Sequence, residues 1–431
     1  METIGEPMAL SGPTVQQLAR PPSARRADLD VLRVAGMFTV FLAHAAQAFS
    51  PWQAWHIVNA ERTVWAGHVN LFAFPWVMPL FMFLAGAGAY MSLSHRSDGE
   101  YARDRTVHLV LPFIIGTLLL VPPQIWVERL AQGRTTEGYF RFYPHFFECC
   151  YPEGNLAASH LWFVAYLWVY ALVSVPLLRW LSSAHGMRSI RRLGNVCRRT
   201  GGILWLILPL ALSQVALRAR YPQSLMLIND WSNHAVLFIA YVYGYLLAAD
   251  RELLAAARSQ WRIALVPAAA ASLWLAVYAA RSTVPGILPL PWTPAYFAFW
   301  SLFGVASWSW IVVAAGASHR IVGEGAQRTR RTHRELTRSG LEYISRAVYP
   351  FYMLHQTVIV LVASVVVLWP VAVLPKFIVL FTVSLILTAM LTELVRRWKP
   401  TRIALGMKST TGAGRAQRAV DGNESTASVE V

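Results

Sequence analysis

Charge is what this chain has least of. Asp, Glu, Lys and Arg supply 14% of its 431 residues, against roughly a quarter in a soluble domain. A water-soluble globule of this length is therefore excluded. Cysteine is also scarce. Cys149, Cys150 and Cys197 make no disulfide framework, show no metal-ligand spacing and are read as incidental. Phosphate-cradling loops, dinucleotide fingerprints, nucleophile elbows and zinc motifs are missing, so hydride or phosphoryl transfer through them is unsupported, and neither metal nor cofactor is expected. No internal repeat and no matched pair of Gly/Pro-broken helices is found, which weakens a transporter reading. Residues 1–30 are polar and Pro-rich, without a short apolar stretch ending in a cleavage site. The first apolar run is accordingly expected to stay as an anchor.

Apolar length is what the chain does have, with 56% of its residues hydrophobic. Crossing a bilayer core of about 30 Å takes a helix of about 20 apolar residues. Candidate runs are 31–49, 71–91, 107–126, 161–180, 203–217, 234–249, 263–280, 296–317, 347–369 and 374–395. Sheets in lipid must close into barrels of short alternating segments, which these long runs are not. The expected fold is all-α: a polytopic transmembrane helix bundle of about ten helices. The fifth and sixth runs are the shortest, so nine or eleven crossings stay open. The expected organisation is a polar cytoplasmic segment at 1–28, a ten-helix membrane domain at 29–398, and a disordered cytoplasmic tail at 399–431.

The net charge of +16 would suggest nucleic acid in a soluble protein. In a membrane protein the positive-inside rule accounts for it, and no nucleic-acid partner is expected. With the amino end in the cytoplasm, Arg62, Arg129, Arg134, Arg141, Arg218, Arg220, Arg281 and Lys376 fall outside and the remaining Lys and Arg residues fall inside. The segments 181–202 and 318–346 dominate the inner set, the latter through Arg328, Arg330, Arg331, Arg334 and Arg338. Both chain ends are thus expected in the cytoplasm of a multi-pass inner-membrane protein. The inner face suits anionic lipid head groups or a phosphorylated ligand such as a nucleotide or coenzyme A. The outer loops carry aromatics and amides, a composition shared by interfacial belts and by sugar-binding lips.

Ionisable groups inside a bilayer are costly and point to function. The first run holds Asp28, Asp30, Arg33, His44 and Gln47. Arg33 and His44 are three helical turns plus about 20° apart, hence on one face and separated by about 16 Å along the axis. Asp30 lies one turn below Arg33. Snorkelling of Arg33 and an interhelical bond to His44 are the alternative account. A second set, Arg346, Tyr349, Tyr352, His355 and Gln356, stacks at three- and four-residue spacing beside Pro350. On the 347–369 boundaries, His355 is expected about a third of the way across from the inside. A third set follows the second run: His95, Arg96, Arg103, Arg105 and His108. Arg103 and Arg105 at the inner mouth are suited to hold phosphates. A neutral imidazole can take a proton from an alcohol and release it later, and attack of a hydroxyl on a thioester needs little more than that base and oxyanion donors. A proton-coupled transporter or flippase of an anionic or glycan-type solute would use the same stripes.

These residues resemble the acyltransferase-3 family of membrane O-acyltransferases. LDVLRVAGMFTVFLAH, Leu29 to His44, is similar to the family's Arg, ten residues, His signature. PLFMFLAGAGAY, Pro79 to Tyr90, resembles its aromatic second helix, with Ala85 where Ser is usual. SHLWFVAYLWVY, Ser159 to Tyr170, and RAVYPFYMLHQ, Arg346 to Gln356, resemble its Leu-Trp-Phe and Tyr-x-x-His blocks. The four blocks stand in family order. Trp55-His56 with Asn59, together with the Ser159 block, is most similar to the branch that succinylates periplasmic glucans. The resemblance implies transfer of an acetyl- or succinyl-type group from cytoplasmic acyl-CoA, as co-substrate, to a hydroxyl of an envelope or exported glycan. It implies His44 as catalytic histidine, Arg33 as its motif partner and Arg105 near the donor's phosphates; His355, on the second stripe, is expected to share the catalytic site. Asp30, Arg103, Arg105, His108, Trp162 and Tyr352 are the expected substrate-binding residues. The family's Arg-x-x-Arg is replaced by Arg105 and His108, with Arg103 upstream. With no esterase-like domain after the tenth run, transfer is expected to finish within the membrane domain.

Overall fold

The structure, a computed structural model, describes residues 27–52, 55–281, 288–328 and 331–407, with side chains described outside 324–338. All ten apolar runs fold as helices, and the described residues contain no strand. Eight helices are long and apolar enough to cross a membrane: α1 (Ala27–Gln47), α2 (Val64–Leu93), α3 (Asp98–Ala131), α6 (Trp231–Ala249), α7 (Trp261–Arg281), α8 (Pro294–Gly323), α9 (Ser339–Val366) and α10 (Val373–Arg397). The fourth run is a bent pair, α4, made of Ser159–Val173 and Val175–Ser182 at 50°. The bend falls where Pro176 opens the second half, because proline supplies no amide to continue the ladder. The fifth run, α5 (Gly202–Leu217), is a shorter apolar helix. The sixth run, expected over 234–249, begins earlier and is long enough.

Small residues set the closest helix approach. A Cβ on Gly86 would lie 1.8 Å from the Tyr241 carbonyl oxygen, and one on Gly244 1.8 Å from that of Phe83. Helices α2 and α6 therefore meet backbone to backbone, which in lipid is a main source of association. Three cations of the outer set are buried ties. Lys376 donates to Asn59 Oδ1 and the Val367 carbonyl, both at 2.9 Å. Arg218 reaches Gln214 and Asn233 and lies 4.4 Å over the Trp300 ring. Arg129 holds Asn155 and the carbonyls of Pro152 and Gly154. A buried cation needs such partners to offset its desolvation.

The described ends of the chain gather at one end of the bundle. Asp28 pairs with Arg258, and Ser345 donates to Asp30 at 2.6 Å. Gly406 sits against His108, Pro112 and Tyr349 at φ +68°, with no room for a Cβ, a left-handed position that favours glycine. The same end carries two amphipathic helices, Ala184–Cys197 and Arg251–Ser259. The first buries Ile190, Gly194 and Cys197 and exposes Arg188, Arg191 and Arg192. That division suits a helix lying in an interface plane.

One expectation changes. Residues 399–407, assigned to the tail on composition, are ordered: Lys399–Ala404 is helical and Leu405 is buried against the bundle. The rest of that tail, the segment before Ala27 and the side chains of Arg328, Arg330, Arg331, Arg334 and Arg338 lie outside the described residues. Cys149 and Cys150 are neighbours in the loop between α3 and α4, and Cys197 is buried and free.

Candidate active site

The first and ninth helices bring their histidines together. His44 and His355, 311 positions apart, are joined through His44 Nδ1 and His355 Nε2 at 3.0 Å. The expected depth of His355 is corrected by this contact: it lies level with His44. The reason is stagger. Helix α1 ends one turn after His44, whereas α9 continues about 16 Å past His355 at 1.5 Å per residue before ending at Val366. Counting along one helix does not reveal how far its neighbour is displaced.

Hydrogen-bond direction fixes the proton positions in the neutral pair. His355 Nδ1 lies 2.6 Å from the Tyr352 carbonyl oxygen, which only accepts, so Nδ1 carries the hydrogen. His355 Nε2 is then an acceptor, and His44 Nδ1 donates to it. The free electron pair of His44 consequently sits on Nε2, the nitrogen with no protein partner. A peptide carbonyl two residues along a chain of bonds thus sets the tautomer of the imidazole, as orienting groups do for histidine bases. His355 is fully buried, so this orientation is held by packing as well.

His160 completes a cluster of three rings, its centroid 5.4 Å from that of His355. Its Nε2 donates to the Met353 carbonyl at 3.0 Å, and its buried Nδ1 has no partner. Tyr352 donates its hydroxyl to the His160 carbonyl, tying the start of α4 to α9. Sequence reading passed over His160 because Ser-His-Leu-Trp-Phe was seen as a block and not as a titratable group.

The other expected residues are spread between the two ends. Arg33 lies near the beginning of α1, bonded to Asp30 at 2.9 Å, and is not brought to His44. Asp30 is buried and also accepts from Ser345. Arg105 is half-buried with its guanidinium 5.1 Å from the Tyr101 ring, and its buried Nε has no partner. His108 bonds the Asp104 carbonyl at 2.8 Å, and Arg103 is exposed. Trp162 packs edge-on to Tyr166 at 5.0 Å, among rings of its own helix. The arrangement is therefore bipolar: cations and Asp30 at the end holding the chain termini, imidazoles toward the other.

The sequence matches the profile of the acyltransferase-3 acyltransferase domain over residues 26–393. The chain belongs to that family. No curated protein and no solved structure matches it significantly. With its apolar helices, this acyltransferase is a multi-pass membrane enzyme. The matched region takes in both polar groups, from Asp30 to His355.

Next to the imidazoles the acyltransferase has a further polar network that sequence reading missed. The hydroxyl of Ser159, amide groups of Gln124 and Gln356, and the ring of His56 meet at 2.8–3.3 Å. His56 Nδ1 bonds the Glu128 carboxylate. Glu128 also accepts from Gln132 at 3.0 Å and from Tyr151 at 3.2 Å. Burial, and then the charge of Glu128, push the Tyr151 hydroxyl up to about 12, so it remains a donor across physiological pH. His56 and Glu128 stand 72 positions apart on a loop and a helix, and no local pattern links them.

Proposed function

We propose that this acyltransferase moves an acetyl- or succinyl-type group from cytoplasmic acyl-CoA to a hydroxyl of an envelope or exported glycan. Its membrane would be the inner one, with both chain ends in the cytoplasm. The observation that carries this reading is His44: a half-buried imidazole whose open nitrogen is held as a base by His355 and the Tyr352 carbonyl. Support for the donor side comes from Arg105, whose unpartnered Nε suits a phosphate of coenzyme A, at the end carrying the positive-charge excess. Arg33 and Asp30 then belong to the donor mouth, about 16 Å from the imidazole by helix rise.

In the simplest form of the reaction, the acceptor oxygen attacks the thioester carbonyl while its proton passes to His44 Nε2. The carbon–sulfur bond breaks, and the proton leaves with coenzyme A as its thiol. A positioned general base of this kind contributes about 10²–10⁴-fold. The test uses purified protein in vesicles, supplied with labelled acetyl-CoA or succinyl-CoA and an oligosaccharide acceptor. Expected are free coenzyme A and acyl ester in equal amounts, both lost in His44→Ala protein that inserts normally. Solute uptake without coenzyme A release would instead favour transport and overturn the proposal.

A further inference from the structure

The network around Ser159 holds the parts of an activated nucleophile. Ser159 Oγ lies 3.3 Å from His56 Nε2 while its hydroxyl donates to Gln124 Oε1 at 2.8 Å, and the other ring nitrogen of His56 faces the Glu128 carboxylate. A carboxylate accepts only, so His56 carries its hydrogen on Nδ1 and presents its electron pair at Nε2. That pair faces Ser159 and the Gln356 amide, 3.2 Å away. Both oxygens of Glu128 are engaged, and its side chain is 2% exposed, so its direction is fixed. When the Ser159 hydroxyl turns from Gln124 Oε1 to His56 Nε2, nucleophile, base and orienting acid follow one another in the order that hydroxyl activation requires.

Two further facts distinguish this from an ordinary buried hydrogen-bond network. Ser159 has φ +46°, a left-handed conformation that non-glycine residues rarely adopt and that collects at functional sites. Nor is the site sealed, since Ser159 is half-buried and the His56 side chain keeps 10% exposure. The location is apt as well. Gln356, which touches both Ser159 and His56, directly follows His355, and His160 directly follows Ser159.

We infer that Ser159 carries the acyl group as an ester between donor and acceptor, with His56 as its base and Glu128 as the positioning residue. The inference rests on the acyl-transfer reading above and divides it into two half-reactions. In the first, Ser159 Oγ attacks the thioester carbonyl and its proton passes to His56. The carbon–sulfur bond breaks, and the same proton leaves on the thiol of coenzyme A. In the second, the acceptor hydroxyl gives its proton to His56 and attacks the serine ester. The Ser159 oxygen departs and takes that proton back. His56 thereby takes the proton-accepting role that the single-step form gives to His44, and the His44–His355 pair serves the donor half, beside the departing sulfur.

The test is acceptor-free labelling. Full-length protein in vesicles is incubated with radiolabelled acetyl-CoA or succinyl-CoA, quenched in acid and mapped by peptide mass spectrometry. One acyl group on the peptide containing Ser159, removed by hydroxylamine, is expected. Ser159→Gly abolishes it; glycine tolerates the positive φ, so the variant keeps its fold. Ser159→Cys restores a label, now as a thioester, and Glu128→Gln slows its appearance about tenfold or more, as loss of an orienting carboxylate does. Turnover in Ser159→Gly falls by about 10² or more. Glycan ester formed at the wild-type rate by Ser159→Gly overturns the inference and leaves the proposed function standing. Label on Ser159 with no transfer to any hydroxyl acceptor does the reverse. Label on another residue that survives in Ser159→Gly also overturns it.

Discussion

Replacing His355 with Phe tests the histidine pair most directly. The two rings are similar in size, and His355 already lies among aromatics, its centroid 6.4 Å from Phe41 and 5.7 Å from Tyr352, so the fold is retained. What the change removes is the acceptor for His44 Nδ1–H at 3.0 Å. Leaving a buried donor unpaired costs about 1–3 kcal/mol. His44 avoids that cost by moving its hydrogen to Nε2, the nitrogen that must act as base. Keeping the active tautomer then costs the same 1–3 kcal/mol, which at 1.36 kcal/mol per factor of ten is about five- to 150-fold in kcat. The donor KM should change less than about twofold, because the loss falls on the chemical step and not on binding. His355→Gln offers a side-chain carbonyl to His44 and should recover most of the rate. The assay is coenzyme A release from vesicle-reconstituted enzyme, with His44→Ala measured beside it. Groups that act as a unit are non-additive, so the double variant should be no slower than His44→Ala alone. An unchanged kcat in His355→Phe, or a double variant whose loss is the product of the two single losses, would refute the reasoning.

Three other outcomes follow from the same geometry. Arg105→Met removes a guanidinium whose Nε awaits a partner; loss of a charge-assisted bond of about 1.5–3 kcal/mol should raise the donor KM about ten- to hundredfold with kcat nearly constant, and an unchanged KM would put the donor elsewhere. Gly244→Ala drives a methyl into the Phe83 carbonyl, and overpacking of this kind costs about 1–3 kcal/mol. A lower midpoint of thermal unfolding in detergent is expected, and an unshifted one would mean that α2 and α6 can separate freely. Lys376→Met leaves Asn59 Oδ1 and the Val367 carbonyl without their donor. Limited proteolysis should then cut the 50–63 loop faster than in wild type, and equal rates would show that this tie does not hold the loop.

Much of the architecture was legible because membrane crossing is a local property. A run such as 374–395 must be helical wherever it sits, since lipid offers its backbone no other partner. The same-helix relation of Arg33 to His44 was legible for an equally local reason, the fixed rise and twist of one helix. His44 and His355 could each be singled out because an ionisable group among apolar neighbours stands out in a sequence. Composition misjudged residues 399–407, where Leu405 and Gly406 dock on α3 and α9 despite a polar setting.

By itself, then, the sequence determined the helices, their membrane setting, the family through its four ordered blocks, and the identity of two of the imidazoles. Tertiary structure alone decided that those two imidazoles touch, that Arg33 does not join them, and that His56, Glu128 and Ser159 converge from three separate segments. The physical cause is stagger. Close approach at Gly86 and Gly244, the bend before Pro176, and the unequal ends of α1 and α9 set which depths of neighbouring helices coincide. Those displacements arise from side chains distant in sequence, so no periodicity within one helix encodes them.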